Sequence, residues 1–118
     1  MTILRTSKTY APEDIYRLTK DASVEKLSDH KGEVITVVGF INYSEMQKDK
    51  DGKESENEII CFELDDGTAI GTNSPTVRKT WFTMLDIFGD TPIYPRDLAI
   101  FEDTATKSGR KYMNIKLA

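Results

Sequence analysis

Cysteine, histidine and tryptophan each occur once in this chain of 118 residues, as Cys61, His30 and Trp81. One cysteine cannot form an intrachain disulfide, which favours a cytoplasmic location over an oxidising compartment. A zinc site needs about four Cys or His ligands, so His30 and Cys61 are too few. No apolar run approaches the ~20 residues of a membrane-spanning helix, and the first residues lack the apolar stretch of a secretory signal. We therefore expect a cytoplasmic protein with no membrane partner.

Sequence motifs typical of enzymes are also missing. There is no Gly-rich phosphate loop, nucleophile elbow or metalloprotease motif. Acidic residues in the segment 47–58 match several positions of an EF-hand calcium loop. However, Gln47 stands in place of the first aspartate ligand, and the flanking segments have the pattern of strands rather than helices. We predict a protein that is not an enzyme and uses no metal or other cofactor.

Charge is unevenly distributed along the chain. The 20 acidic residues outnumber the 16 basic ones, giving a net charge of −4. This total disfavours nucleic-acid binding, because phosphates need local positive charge. Residues 104–118, however, contain four basic residues and no acidic one. A basic face can therefore coexist with an acidic remainder.

The apolar pattern predicts a leader over residues 1–31 followed by five strands and one helix. Ala11, Ile15, Leu18 and Ala22 have the spacing of one face of a short helix in the leader. Ser74 as N-cap, Pro75 at the first helical position and Gly89 at the end define the main helix. The predicted strands cover residues 33–46, 58–64, 68–72, 98–103 and 110–117, with a polar hairpin loop at 47–57.

This β-β-β-α-β-β order is the chain order of an OB-fold, a partly open five-stranded barrel. Gly39 supports it, because a long barrel strand has to bend where it passes between two sheets. We predict a mainly β, single OB-type domain over residues 1–118, with a short helical leader and a barrel core at 32–118. A helix-on-sheet α+β domain contains the same elements and remains the alternative.

A single-strand-binding surface needs a cationic groove for phosphates and aromatic faces for bases. In an OB-fold, the loop after strand one and the loop between strands four and five flank the same cleft. Alternation in the last strand directs Met113, Ile115 and Leu117 inward and the intervening residues outward. Trp81 and Phe101 are assigned to the core, and Arg78 to solvent. The predicted nucleic-acid contacts are Tyr43, Lys48, Lys50, Lys53, Lys107, Arg110, Lys111, Tyr112, Asn114 and Lys116.

Three segments carry a resemblance to a known family: residues 32–40 (GEVITVVGF), 70–80 (IGTNSPTVRKT) and 107–112 (KSGRKY). With them, the stretch 33–117 resembles the small OB-fold single-stranded DNA-binding proteins of tailed bacteriophages infecting Gram-positive hosts, such as lactococcal phages. The resemblance implies a cofactor-free protein that coats and protects single-stranded DNA during phage replication and recombination, in the host cytoplasm. It leaves open a homo-oligomer and contacts with replication or recombination proteins.

A protein-interaction module is the alternative that the sequence leaves open. The acidic total charge favours it, and an example would be a phage inhibitor or adaptor of a host enzyme that uses the barrel groove for a protein partner. Retention on single-stranded DNA that depends on salt concentration separates the two functions.

Overall fold

The computed structural model describes residues 1–118 and is mainly β, with a curled sheet that forms a half-barrel. It contains seven strands and two α-helices, together with a 3₁₀ turn at Leu27–His30. The strands are β1 Thr2–Thr6, β2 Glu25–Lys26, β3 Val34–Lys48, β4 Glu54–Leu64, β5 Ala69–Thr72, β6 Arg96–Thr104 and β7 Lys111–Leu117. The helices are α1 Pro12–Thr19 and α2 Pro75–Phe88.

The sheet curls around β3, whose two halves pair with different neighbours. The strand order is β2-β5-β4-β3-β6-β7, and β1 pairs with β3 outside this path. The first residues of β3, up to Val37, pair with β6, whereas the rest of the strand pairs with β4. A register shift between Val37 and Gly39 separates the two halves and reverses which residues face inward.

Two hydrophobic cores lie on opposite faces of this sheet. The inner core contains Ile35, Val37 and Phe40 from β3 and is covered by Trp81 and its helical neighbours from α2. The outer core lies beneath the leader, and it consists of Tyr10, Leu18, Ile41, Tyr43, Cys61 and Ala69. β3 contributes to both cores, since its residues beyond the register shift alternate between the two faces.

The number of strands exceeds the five predicted, because the leader contains β1 and β2 as well as its helix. Neither strand has a local apolar pattern: β1 is ordered by antiparallel pairing with β3, and β2 pairs in parallel with β5 over only two residues. The polar loop predicted at 47–57 is also shorter. β3 and β4 continue to Lys48 and Glu54, which face each other as an opposite-charge pair.

Helix α2 has the bounds that the sequence predicts. The Ser74 hydroxyl accepts a hydrogen bond from the Val77 amide, and Gly89 follows the last turn with φ of 90°. Trp81 is fully buried, as predicted, with edge-on contacts to Phe40 and Phe62. Neither helix is long and apolar enough to cross a membrane.

Side chains of α2, rather than a backbone ladder, cover the edge of β7. Strands β2 and β7 are the two ends of the sheet, and β5, which follows β2 in the strand order, does not pair with β7. The Thr80 hydroxyl donates to Asn114 Oδ1 at 2.8 Å, and the Ser74 hydroxyl donates to the Met113 carbonyl at 3.5 Å. The seam between β5 and β7 is therefore closed at 113–114 and open before it.

Candidate nucleic-acid interface

A groove of about 790 Å³ opens where the seam is unclosed. One wall is the start of β7 with the turn before it, and the opposite wall is the end of β5 with the start of α2. The leader and β4 complete the groove. Its lining residues are Lys26, Leu27, Ser28, Asn57, Ile59, Gly71, Thr72, Asn73, Ser74, Pro75, Arg110, Lys111, Tyr112 and Met113.

The lining is cationic although the chain is acidic. It includes Lys26, Arg110 and Lys111 and no aspartate or glutamate. Of these three, Lys111 alone has an ion-pair partner, Glu102, whose carboxylate lies 3.9 Å from Lys111 Nζ and 3.6 Å from Lys31 Nζ. Both lysines are mostly exposed, so these pairs are weak and leave Lys111 available to an anion.

Tyr112 presents an aromatic ring at the groove wall. The side chain is half-buried, yet its ring packs against neither hydrophobic core. Its hydroxyl donates to Asp103 Oδ2 across the β6–β7 pair at 3.4 Å. Desolvation and the Asp103 carboxylate both raise the pKa of the phenol. The ring is thus held in place by its hydroxyl end while part of its surface stays accessible.

The leader contributes the cation Lys26 through its short strand. Lys26 pairs with Gly71 in the parallel β2–β5 ladder, which fixes its backbone beside the groove. His30 supports this position, because its ring nitrogens contact Glu33 at 3.2 Å and Glu25 at 2.8 Å. The hydrogen bond to Glu33, together with Glu25, raises the pKa of His30. No local pattern in the sequence indicates this wall, because β2 forms only by pairing with β5.

Tyr43, a predicted nucleic-acid contact, is buried and does not line the groove. It lies in the outer core with 3% of its surface exposed. The leader covers it, with Lys20 Nζ 5.3 Å from the ring centre and paired to Glu45. Burial raises the pKa of the Tyr43 phenol well above its usual range. Tyr43 points to the outer face of the sheet, as strand alternation predicts, but it is not exposed because α1 packs on that face.

The predicted cations of the two loops do not all meet in one place. Lys48, Lys50 and Lys53 lie at the tip of the β3–β4 hairpin, where Asp49 and Asp51 alternate with them, and none of the three lines the groove. Lys107 is exposed in the turn before β7 and likewise lies outside the lining. Of the predicted cations, Arg110 and Lys111 alone line it.

Asn114 and Lys116 have partners away from the groove. The Asn114 side chain is bonded to α2 through Thr80, and Lys116 Nζ lies 5.0 Å from the centre of the Phe101 ring. Phe101 is therefore not a core residue as predicted: it follows the buried Ile100 and faces the other side of the sheet. Arg78 was predicted to be solvated but donates to the Glu58 and Asn73 carbonyls, both at 2.9 Å.

Comparison with known proteins identifies no relative: no protein-family model, no curated protein and no solved structure matches this chain. The side chains also form no cluster of three or more His, Cys, Asp or Glu residues suited to holding a metal ion. What the site offers chemically is a set of cations, amide and hydroxyl groups, and one accessible aromatic ring.

Proposed function

We propose that this protein is a non-catalytic, sequence-independent single-stranded DNA-binding protein, and that the groove at the β5–β7 seam holds the strand. The observation that carries the proposal is the lining itself, which has three cations, no carboxylate and an aromatic wall at Tyr112. Phosphates are attracted by such cations, and bases of any sequence stack on an aromatic face. The resemblance of residues 33–117 to phage proteins extends the proposal to coating DNA during phage replication and recombination.

The strand pairing supports an OB-fold as the framework of this site. With β3 taken as OB strand one, β4 and β5 are strands two and three, and the β6–β7 turn is the loop between strands four and five. OB-folds bind oligonucleotides on strands two and three and on the adjoining loops. Here the leader covers part of the outer face of β4 and β5, because Leu18 packs in the same core as Cys61 and Ala69. The groove is the part of that face that stays open.

The salt dependence of binding tests this proposal. On single strands, log K falls with log salt by about 0.7 per phosphate neutralised. Replacing Arg110 and Lys111 by alanine should therefore flatten the slope by about 1.4 for a fluorescent oligothymidylate. A matched control is the double variant Lys8→Ala/Lys79→Ala, which changes the net charge equally but lies outside the groove. Equal slopes in the two double variants would show that the strand does not use this groove.

A protein-interaction module is the second candidate, and one observation favours it. Met1, Leu4 and Met46 are each at least half exposed and border a hollow of about 300 Å³ beside β1, which pairs with no strand other than β3. Exposed apolar groups beside an unpaired strand edge suit a protein partner. Failure of the protein to bind any oligonucleotide, with substitutions at Leu4 abolishing capture of a host protein, would favour this candidate.

A further inference from the structure

The outer face of the β6–β7 hairpin carries a second aromatic ring close to Tyr112. In the ladder, Tyr112 lies opposite Asp103, and Asn114 lies opposite Phe101. Residues paired in this way point to the same face, and diagonal neighbours are about 7–8 Å apart. Phe101 and Tyr112 are therefore diagonal neighbours on one surface of the sheet.

Helix α2 reaches this surface at the β7 edge, where Thr80 bonds to Asn114, and neither core extends onto Phe101 or Tyr112. Phe101 is half-buried, and its ring packs against neither core, as is also true of Tyr112. On the same face, Val34 at the start of β3 is 60% exposed. The outer core includes β3 residues only from beyond the register shift, Ile41 and Tyr43. An aromatic ring in such a position needs an explanation other than core packing.

The charges around the Phe101 and Tyr112 rings favour a polyanion along the side of the face that carries Lys116. Lys116 Nζ lies 5.0 Å from the Phe101 ring centre and is exposed, so it can reach a phosphate beside a base on that ring. The two acids of this face, Asp103 and Asp97, accept hydrogen bonds from the Tyr112 and Thr36 hydroxyls and keep their negative charge, so the cationic side of the face is the one at Lys116.

We propose that a single strand leaving the groove at Tyr112 continues over the β6–β7 face, stacks a further base on Phe101 and places a phosphate at Lys116. The inference rests on the proposed function and extends it beyond the groove. Tyr112 connects the two parts, since it lines the groove and shares a face with Phe101. A ring that stacks bases does so with little dependence on sequence, so the extension adds affinity without adding base preference.

Strand length separates this extension from the groove. Oligothymidylates of about 5 and about 15 nucleotides lie near the two ends of the range that one OB-fold covers. Phe101→Leu should weaken the longer oligonucleotide at least about fivefold and leave the shorter one unchanged, because loss of one stacked base costs about that factor or more. Phe88→Leu is the matched control: Phe88 also lies beneath a cation, Arg96 at 4.4 Å, but at the end of α2.

A fluorescent variant gives a second readout that does not depend on the stability of Phe101→Leu. In Phe101→Trp, emission should be quenched by the longer oligonucleotide and not by the shorter one, against the constant background of buried Trp81. If neither Phe101 variant responds while Tyr112→Ala weakens both oligonucleotides, the extension is wrong and the groove stands. If the groove variants do not weaken binding either, the proposed function itself fails.

Discussion

Gly39 and Tyr10 are coupled by a steric conflict that a single methyl group would create. A Cβ at Gly39 would collide with the Tyr10 hydroxyl, the nearest atom, and come within 2.8 Å of Ser7 Oγ and 2.9 Å of Glu63 Oε1. The Tyr10 hydroxyl forms a hydrogen bond with Ser7 Oγ at 2.9 Å and donates another to Glu63 Oε1 at 3.0 Å. Gly39→Ala should therefore push Tyr10 away from both partners.

The size of the effect follows from the bonds lost. A neutral hydrogen bond contributes about 0.5–1.5 kcal/mol and one to a charged group about 1.5–3 kcal/mol, so Gly39→Ala should cost about 2 to 4.5 kcal/mol. Tyr10→Phe loses the same two bonds and should cost a similar amount. In the double variant, the colliding hydroxyl and its bonds are both gone. Its cost should equal that of one single variant rather than their sum.

Urea unfolding followed by the fluorescence of Trp81 measures these free energies, because Trp81 is fully buried in the folded state. Tyr16→Phe provides the matched control: Tyr16 is 59% exposed on α1, and its change should be almost neutral and additive with Gly39→Ala. If the costs of Gly39→Ala and Tyr10→Phe add in the double variant, the methyl group is accommodated elsewhere and the steric argument is refuted.

Two further expectations concern Tyr112 and His30. Tyr112→Ala should weaken binding to homopolymers of different bases by a similar amount, roughly 1–3 kcal/mol, whereas Tyr112→Phe should bind almost normally. Neither variant should change Tm much. A lower Tm with unchanged affinity would show that Tyr112 is a packing residue. The raised pKa of His30 means that its protonated form stabilises the fold. That stabilisation is complete below about pH 6.5 and is lost as the pH rises through the raised value, so His30→Gln should flatten the pH dependence of Tm in this window. An identical pH profile in the variant would contradict this.

Features encoded by neighbouring residues could be predicted, whereas those created by distant pairing could not. The bounds of α2 follow from Ser74, Pro75 and Gly89, which act within one turn of the chain. Strand β2 has no such local signal, because two residues become a strand only when β5 lies beside them. The wall that it supplies to the groove, including Lys26, was therefore missed.

The two misplaced aromatic residues have different causes. Phe101 follows Ile100 in a strand, so alternation alone was enough to direct it away from the core, and the error came from judging it by residue type. Tyr43 is on the outer face, but its burial depends on α1 packing there. Covering of one face by a separate segment depends on tertiary structure, which the pattern within a strand does not contain.

The position of β3 between the two cores determines how the protein unfolds locally. Its residues enter both cores, with Phe40 in the inner one and Ile41 in the outer one, and it pairs with β1 in the leader. Separating the leader from the sheet would expose Ile41 and Tyr43 on the strand that also supports the inner core. Amide hydrogens in β1 and in the middle of β3 should therefore exchange with solvent through the same opening event, with the leader and the half-barrel behaving as one cooperative unit.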